Sequence, residues 1–379
     1  MTGALPPTSR RARVTGALAT AAGGWLVARV LVLGALALAH HLVDETGIRR
    51  AAVRAAVSAG LRGWDAAYYA EIARSGYGEL GETALRFFPL QAVAAKVASL
   101  GLVDPAWPSV VIANVAALAA GTLLVLLARR EGADPAAAGR AAWLLQLWPA
   151  AFVLVMGYAE ALALTLALGT FLALRTRRWW AATGLGLLAG LARPTGFLLA
   201  LPALIEAVGG WRAAPRSERP ARLAAIAGPA AGTAGYLAWV GTRFGDPWLP
   251  YTVQTRAGLK GEFTNPFATI ADALGGLASG ERVGTGLHVP WLALCVVLVV
   301  LGARRWPRSY TVYAAAVLAV AAISANLDSF ERYALGAFPI VLTLAAVTTD
   351  RHLERPVLVL AGGLLSSYAL LAFLGAYVP

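Results

Sequence analysis

The sequence predicts an all-α integral membrane protein, a polytopic bundle of about eleven transmembrane helices at about 20 residues per span. Of the 379 residues, 59% are hydrophobic and only 14% are charged, whereas soluble proteins carry about 25% charged residues. The mean hydropathy is +0.65. The apolar runs are long and continuous, which favours helices over the alternating segments of about ten residues typical of a β-barrel. A soluble domain, a disordered chain, a collagen and a disulfide-built scaffold are excluded.

Eleven apolar runs supply the predicted spans. They are Gly16–His41, Ser109–Ala128, Ala141–Met156, Glu160–Leu174, Trp179–Ala192, Gly196–Val208, Leu223–Thr242, Leu287–Gly302, Thr311–Ala325, Ala334–Val347 and Val357–Val378. A further stretch, Phe87–Val103, contains Gln91 and Lys96. We interpret it as an interfacial or re-entrant helix that does not cross the membrane. The first run lacks a clean cleavage site, so we expect it to be retained as a span.

The distribution of arginine predicts the orientation, because positive charge collects on the short cytoplasmic loops of membrane proteins. With the N-terminus inside and Phe87–Val103 not crossing, the tail and the alternate loops carry 18 arginines and 6 acidic residues. The remaining residues hold 14 basic and 14 acidic side chains, so the whole net charge of +12 is cytoplasmic. The high pI, near 10.4, therefore reports topology. Nucleic acid is excluded as a partner, and membrane lipids are expected.

We expect one membrane domain over residues 1–379, placed in the cell inner (plasma) membrane as a multi-pass protein. Residues 1–15 form a cytoplasmic tail in this interpretation. Residues 42–108 form a first external loop that carries interfacial helices, and residues 243–286 form a second large external loop. No repeat of 20–50 residues is evident.

Cysteine and histidine are too sparse for several kinds of site. Cys295 is the single cysteine, so neither an internal disulfide nor a CxxC redox pair can form. The 4 histidines include no i,i+4 pair, which excludes an HExxH zinc site. No cofactor is called for, no metal ligand is assigned, and a need for a divalent metal stays open.

Ionisable residues near membrane depth are costly and indicate function. In the predicted topology most of them fall at the outer ends of the spans. They are Asp65, Glu71, Arg86, Glu160, Arg193, Asp246, Asp328, Glu331 and Arg332. A site at the external membrane surface, built from several separate loops, is therefore predicted. We expect Arg29, inside the first run, to be a packing residue or a pairing residue, with Glu160 or Asp65 as the partner, and not a catalyst.

Residues that could act in catalysis or binding are densest between Gly63 and Tyr77. Trp64, Tyr68 and Ile72 recur at i, i+4 and i+8, which predicts an aromatic stripe on an interfacial helix. Asp65 lies at the N-terminal end of that helix. Two interpretations of Asp65 stay open: it caps a surface helix, or it serves as a general base for a hydroxyl acceptor.

Ordered motifs extend over most of the chain. They are Trp64-Asp65-x-x-x-Tyr69-x-x-Ile72-Ala73-x-x-Gly76-Tyr77, Phe87-Phe88-Pro89-Leu90, Trp148-Pro149-Ala150-Ala151-Phe152, Gly157-Tyr158-Ala159-Glu160-Ala161-Leu162, Ala192-Arg193-Pro194-Thr195-Gly196, Glu331-Arg332-Tyr333 and Phe338-Pro339. In this order they resemble the phosphatidylinositol glycan class V-type mannosyltransferases, the GPI mannosyltransferase 2 family with its bacterial relatives. That family lies within the GT-C glycosyltransferase superfamily. The sequence departs from its pattern at Gln91 and at Ala159.

The resemblance implies a GT-C-like fold and a glycosyltransferase activity. The donor would be a polyprenyl-phosphate sugar, usually mannose, and the acceptor an external lipid or glycan hydroxyl, with inversion of the anomeric centre. The family's external aspartate maps onto Asp65 as the catalytic base.

The residues predicted to bind substrate are Trp64, Tyr69, Glu160, Arg193 and Arg332. Glu160 either is a carboxylate favoured by a helix N-terminus or holds acceptor hydroxyls. Arg193 either forms a structural ion pair or binds the donor phosphate. The same two roles apply to Arg332, for which the neighbouring Glu331 is the expected structural partner.

A different class of function, a polytopic transporter or lipid flippase, is the alternative. It predicts an inverted repeat and broken helices at the membrane midplane. The sequence shows no such repeat, and its candidate charges collect at one face. A membrane scaffold without catalysis has no need of an external aspartate among aromatic residues.

Overall fold

The computed structural model describes residues 10–45, 50–256, 259, 261–262, 264–280 and 288–377, and it is helical throughout this part of the chain, without a β-strand. Its α-helices are α1 (Arg10–Glu45), α2 (Ala51–Ala59), α3 (Asp65–Ser75), α4 (Pro89–Ser99), α5 (Ala106–Arg130), α6 (Pro135–Gln146), α7 (Glu160–Arg175), α8 (Trp179–Ala192), α9 (Ala200–Val208), α10 (Arg219–Phe244), α11 (Leu249–Thr252), α12 (Pro266–Ser279), α13 (Val289–Ala303), α14 (Arg308–Ala322), α15 (Phe330–Leu335), α16 (Pro339–Val347) and α17 (Arg351–Phe373). The all-α prediction is confirmed there. Parts of the predicted tail and of both predicted external loops lie outside the described residues.

Four helices of the described chain are long and apolar enough to cross a membrane. They cover Arg11–Glu45, Ala106–Arg130, Arg216–Phe244 and His352–Phe373. Large apolar side chains stay exposed on all four of these helices, for example Val30, Val115, Leu223 and Val359. Apolar surface of this kind suits contact with lipid. The fold is thus that of a helical membrane protein, while eleven crossings remain a prediction, because the other apolar helices are shorter than a straight span.

The predicted span Ala141–Met156 is wrong as one continuous helix. Helix α6 ends at Gln146, and the chain then continues as turns and a 3-10 segment, all of it buried. Pro149 explains the break, because proline has no N–H to donate and its ring clashes with the carbonyl four residues earlier. The next helix, α7, begins only at Glu160.

Buried polar side chains donate hydrogen bonds to the backbone carbonyls of this irregular segment. The Nη2 atom of Arg29 donates to the Leu154 carbonyl over 3.1 Å, and Nε donates to Asn114 Oδ1 over 2.9 Å. Non-helical backbone at membrane depth is tolerated only where such partners replace water. The expected pairing of Arg29 with Glu160 or Asp65 is therefore wrong. Arg29 instead supports the segment that leads into Glu160.

Helices α8 and α10 pack backbone against backbone through two GxxxG motifs. The motifs are Gly186–Gly190 and Gly228–Gly232. A Cβ at Gly190 would clash with the carbonyl oxygen of Pro229, and a Cβ at Gly232 would clash with that of Leu187. Small residues at this spacing let membrane helices approach closely. The close contact fixes the end of α8, directly before Arg193.

The stretch predicted to be interfacial contains α4, which has 11 residues and is too short to cross a membrane. One face of α4 buries Gln91 and Ala95. Beyond it, Leu100 and Leu102 are 75% and 82% exposed, and Trp107 is also exposed. Exposed apolar and aromatic residues beside a buried helix face suit the headgroup level of a bilayer.

The orientation gives a labelling prediction. Single cysteines at Ser217 and Ser279, both exposed, are expected to react with an impermeant maleimide from inside and from outside, respectively, because the arginine-rich loops are predicted to face the cytoplasm. The native Cys295 is buried and gives little background. Labelling of the Ser217 position in intact cells would contradict the orientation.

Candidate functional site

Four ionisable side chains from four separate segments meet in the bundle. Arg332 lies between two carboxylates, with Nη1 2.5 Å from Asp65 Oδ2 and 3.4 Å from Glu160 Oε1. Arg193 forms an ion pair with Glu160. We call Asp65, Glu160, Arg193 and Arg332 the ion-paired cluster. All four are predicted site residues, and the structure brings them together from separate segments of the chain.

Aromatic rings enclose the two arginines. The guanidinium of Arg332 lies 5.0 Å from the ring centre of Tyr333 and 5.7 Å from that of Tyr158, and Arg193 lies 5.7 Å from Tyr333. Burial opposes the charge on Arg332, but the Asp65 carboxylate and its neighbours outweigh it, so the pKa of Arg332 is raised. Arg332 therefore stays protonated and keeps a positive charge beside Asp65.

The backbone around Asp65 is held in an unusual conformation. Trp64, immediately before α3, has φ 56° and ψ −132°, a region that costs non-glycine residues about 1–3 kcal/mol and is enriched at functional sites. Its indole Nε1 donates to the Ala372 carbonyl over 3.0 Å, and the Asp65 N–H donates to the Tyr158 hydroxyl over 3.3 Å. Asp65 is the first residue of α3. The hydrogen bonds of the Trp64 indole and of the Asp65 N–H together hold it in place.

This placement does not support the prediction that Trp64 binds substrate. Its ring packs against the main hydrophobic core, and its hydrogen bond is made to α17. Trp64 is absent from the residues that line the cavity described below. Its position instead explains how the sharp turn before Asp65 is maintained.

Glu160 and Arg193 lie at helix ends. Glu160 is the first residue of α7, where the helix dipole favours a carboxylate. Arg193 follows α8 in an extended conformation, and Pro194 follows it. A Cβ at Gly196 would clash with the Ala189 carbonyl, so this turn requires glycine. The result is a compact turn that holds Arg193 against Glu160.

A cavity of about 400 Å³ adjoins the ion-paired cluster. Its lining has a polar part and an apolar part. The polar part includes the ion-paired cluster with Tyr69 and Arg86, and also Thr195, Gln254 and Ser324. The apolar part includes Ala163, Leu164 and Ala167 of α7 and Tyr313, Val317, Val320 and Ala321 of α14. At a rise of about 1.5 Å per residue, the α7 wall continues for about 10 Å beyond Glu160. The cavity thus combines charge at one end with an apolar wall.

Tyr69 lines this cavity, as its predicted role in substrate binding requires. It is buried, and its ring packs edge-on against Phe87 with ring centres 5.3 Å apart. Burial raises the pKa of the Tyr69 hydroxyl. The group therefore stays neutral and can both donate and accept a hydrogen bond.

Sequence reasoning missed a second buried cluster, behind Arg332. Glu331 is fully buried, and its carboxylate lies 2.8 Å from His288 Nδ1 and 3.2 Å from the Tyr377 hydroxyl. The expected local pair between Glu331 and Arg332 is therefore wrong. Adjacent residues of a helix point in different directions, so the two side chains reach different partners. The motif Glu331-Arg332 indicated that both residues matter for the site, but it did not predict which residues they contact.

A metal site has no support in the described part of the chain. No group of three or more histidine, cysteine, aspartate or glutamate side chains is placed there to hold an ion. The two carboxylates of the ion-paired cluster are already paired with arginines.

Comparison of the chain with protein-family models and with curated proteins finds no match to either. The resemblance to the mannosyltransferases thus consists of the ordered motifs. Five of those motifs contribute a residue to the site: Asp65, Phe87, Glu160, Arg193 and Arg332 all line the cavity.

Proposed function

We propose that the chain is a membrane glycosyltransferase that moves a sugar, with mannose as the first candidate, from a polyprenyl-phosphate donor to an external lipid or glycan hydroxyl. The observation that carries this proposal is the ion-paired cluster beside an apolar cavity. A lipid-linked sugar has the same two parts, a polar head that bears phosphate and an isoprenoid chain. The cavity volume of about 400 Å³ lies within the range of about 300–1,000 Å³ for small-molecule sites.

The apolar wall suits the first units of the isoprenoid chain. Residues of α7 and α14 supply it, and the two helices contribute mainly alanine, valine and leucine. Each buried CH₂ group contributes about 0.8 kcal/mol, so a few units of the chain would anchor the donor. The sugar and phosphate would then lie beside Asp65 and Glu160.

Asp65 is the proposed general base. As the acceptor oxygen bonds to the anomeric carbon, the bond from that carbon to the phosphate oxygen breaks, and the phosphate leaves with the electron pair. The acceptor proton passes to the Asp65 carboxylate, and attack opposite the leaving group inverts the anomeric centre. Arg332 donates to Asp65 Oδ2, whereas Oδ1 accepts no hydrogen bond from the described residues. That oxygen is left for the acceptor hydroxyl.

Glu160 is proposed to position the acceptor. It lies on the other side of Arg332 from Asp65 and is paired with Arg193. A carboxylate held in this way can accept hydrogen bonds from sugar hydroxyls. We place the site at the external face of the plasma membrane, in accordance with the arginine distribution.

The direct test uses the purified full chain with polyprenyl-phosphate mannose and a membrane-lipid extract as acceptor. We expect release of polyprenyl phosphate together with a new mannosylated product. Extract treated to block its hydroxyl groups is the control and should abolish product formation. Translocation of the donor between leaflets without cleavage would contradict the proposal and favour a flippase.

A substitution in the apolar wall should shorten the lipid that the chain accepts. Ala167, 4% exposed on α7, lines the cavity away from the charges, and Ala167→Phe would fill that space. Transfer from a long polyprenyl donor should fall relative to transfer from a two-isoprene donor, by about tenfold or more if two or three CH₂ groups lose their contacts. Val115→Phe, at a side chain 65% exposed on α5, is the control. Equal loss with both donors would contradict an isoprenoid channel here.

A further inference from the structure

Arg86 differs from the other arginines that line the cavity. Arg193 and Arg332 are both paired with carboxylates of the ion-paired cluster. None of the ion pairs among the described residues includes Arg86. Its Nε atom, like that of Arg332, is buried without a hydrogen-bond partner, so the missing ion pair is what sets Arg86 apart. A guanidinium with unused donors in a binding cavity is suited to an anionic ligand.

The charges of the cavity lead to the same conclusion. Its lining contains the carboxylates of Asp65 and Glu160 and the guanidinium groups of Arg86, Arg193 and Arg332. The ion-paired cluster is neutral as a whole, so Arg86 supplies the single excess positive charge of the lining. A ligand with one negative charge would make the occupied cavity neutral, and such compensation is required where charges leave water.

Neighbouring contacts hold Arg86 in place before any ligand arrives. Its guanidinium lies 4.7 Å from the ring centre of Phe87 and 5.6 Å from that of Tyr68. The two rings stack on each other with centres 4.6 Å apart. The backbone on either side is fixed, because the carbonyls of Leu85 and Phe87 accept hydrogen bonds from buried tyrosine hydroxyls over 2.9 Å and 2.6 Å. Arg86 is thus preorganised for bidentate contact with a phosphate.

We propose that Arg86 binds the phosphate of a singly charged phosphodiester lipid, and that the ion-paired cluster next to it handles the sugar and the acceptor. The identification of the ligand as a sugar donor rests on the proposed function, whereas the assignment of Arg86 to the phosphate does not require catalysis. In this assignment Arg193 and Arg332 do not bind the phosphate. They hold the carboxylates of Asp65 and Glu160 in place.

Binding to the full chain in lipid nanodiscs tests the assignment without catalysis. The probes are farnesyl methyl phosphate, which has the charge and the tail, farnesol, which has the tail alone, and dimethyl phosphate, which has the charge alone. We expect Arg86→Gln to weaken binding of farnesyl methyl phosphate by about 10–150-fold and to leave farnesol binding unchanged. Binding of dimethyl phosphate as tight as that of the lipid would point to a site for free phosphate and overturn the lipid assignment.

Arg62→Gln is the matched control. Arg62 also lies over an aromatic ring, 5.0 Å from the centre of Trp107, but it does not line this cavity. Arg86→Lys keeps the charge but loses the planar fork of the guanidinium, so it should bind farnesyl methyl phosphate with intermediate affinity. This variant tests the proposal if Arg86→Gln fails to fold. Unchanged phosphodiester binding by Arg86→Gln, or an equal loss with Arg62→Gln, would overturn the proposal. A chain that binds the probe through Arg86 but never transfers sugar would overturn the proposed function alone.

Discussion

Asp65→Asn is expected to reduce sugar transfer by about 10²–10⁴-fold, the usual contribution of a positioned general base. Asparagine matches the shape of aspartate but cannot take up the acceptor proton. It can still accept a hydrogen bond from Arg332, so the anchoring of α3 should survive. We therefore expect normal expression and normal binding of the donor lipid, with the loss confined to turnover.

Two carboxylates provide the comparison. Glu71 lies on the same helix, 41% exposed and paired with Arg74, and Glu71→Gln should transfer sugar like the wild type. Glu160→Gln should have a milder effect than Asp65→Asn, because Glu160 is assigned to positioning. Full activity of Asp65→Asn together with an inactive Glu160→Gln would mean that the two roles are exchanged. Full activity of both Asp65→Asn and Glu160→Gln would contradict the proposed general-base mechanism.

Several residues that line the cavity could be predicted from the sequence because two strong physical rules apply to membrane proteins. Arginine in short loops reports the cytoplasmic side, and isolated charges within apolar sequence are too costly to keep without a role. Together they predicted nine residues, of which Asp65, Arg86, Glu160, Arg193 and Arg332 line the cavity. The resemblance added a chemical role for Asp65 that charge placement alone does not supply.

The partners of these charges were harder to predict. Arg29 binds the Leu154 carbonyl, and a backbone acceptor leaves no trace in residue types. Glu331 binds His288, 43 positions away, which depends on how α13 and α15 meet. Whether an arginine is already neutralised, like Arg193, or free for a ligand, like Arg86, is decided by such long-range contacts.

The irregular segment after α6 shows a different limit. Trp148-Pro149 interrupts an apolar run that hydropathy alone reads as one span. The break is stable only because side chains from α1 and α5 satisfy its carbonyls, and a single segment does not reveal that support. The consequence is functional, since this segment delivers Tyr158 and Glu160 to the site.

Arg332→Gln is expected to have the largest effect on stability. It would leave the Asp65 carboxylate, 23% exposed, without its ion-pair partner, and removing one partner of a buried pair costs about 3–5 kcal/mol. Thermal unfolding of the detergent-solubilised variant should begin at a clearly lower temperature. Arg74→Gln, in an exposed pair, is the control and should change stability by about 1 kcal/mol or less.

A second substitution separates the stability role of Arg332 from catalysis. In the double variant Asp65→Asn with Arg332→Gln, the unpaired carboxylate is gone, so much of the lost thermal stability should return while sugar transfer stays as low as in Asp65→Asn. Such a recovery is a coupling between two residues in direct contact, which independent sites do not show. If the double variant is as unstable as the sum of the two single variants, Arg332 stabilises the fold through its contacts with Glu160 and the tyrosine rings, and the pairing with Asp65 contributes little.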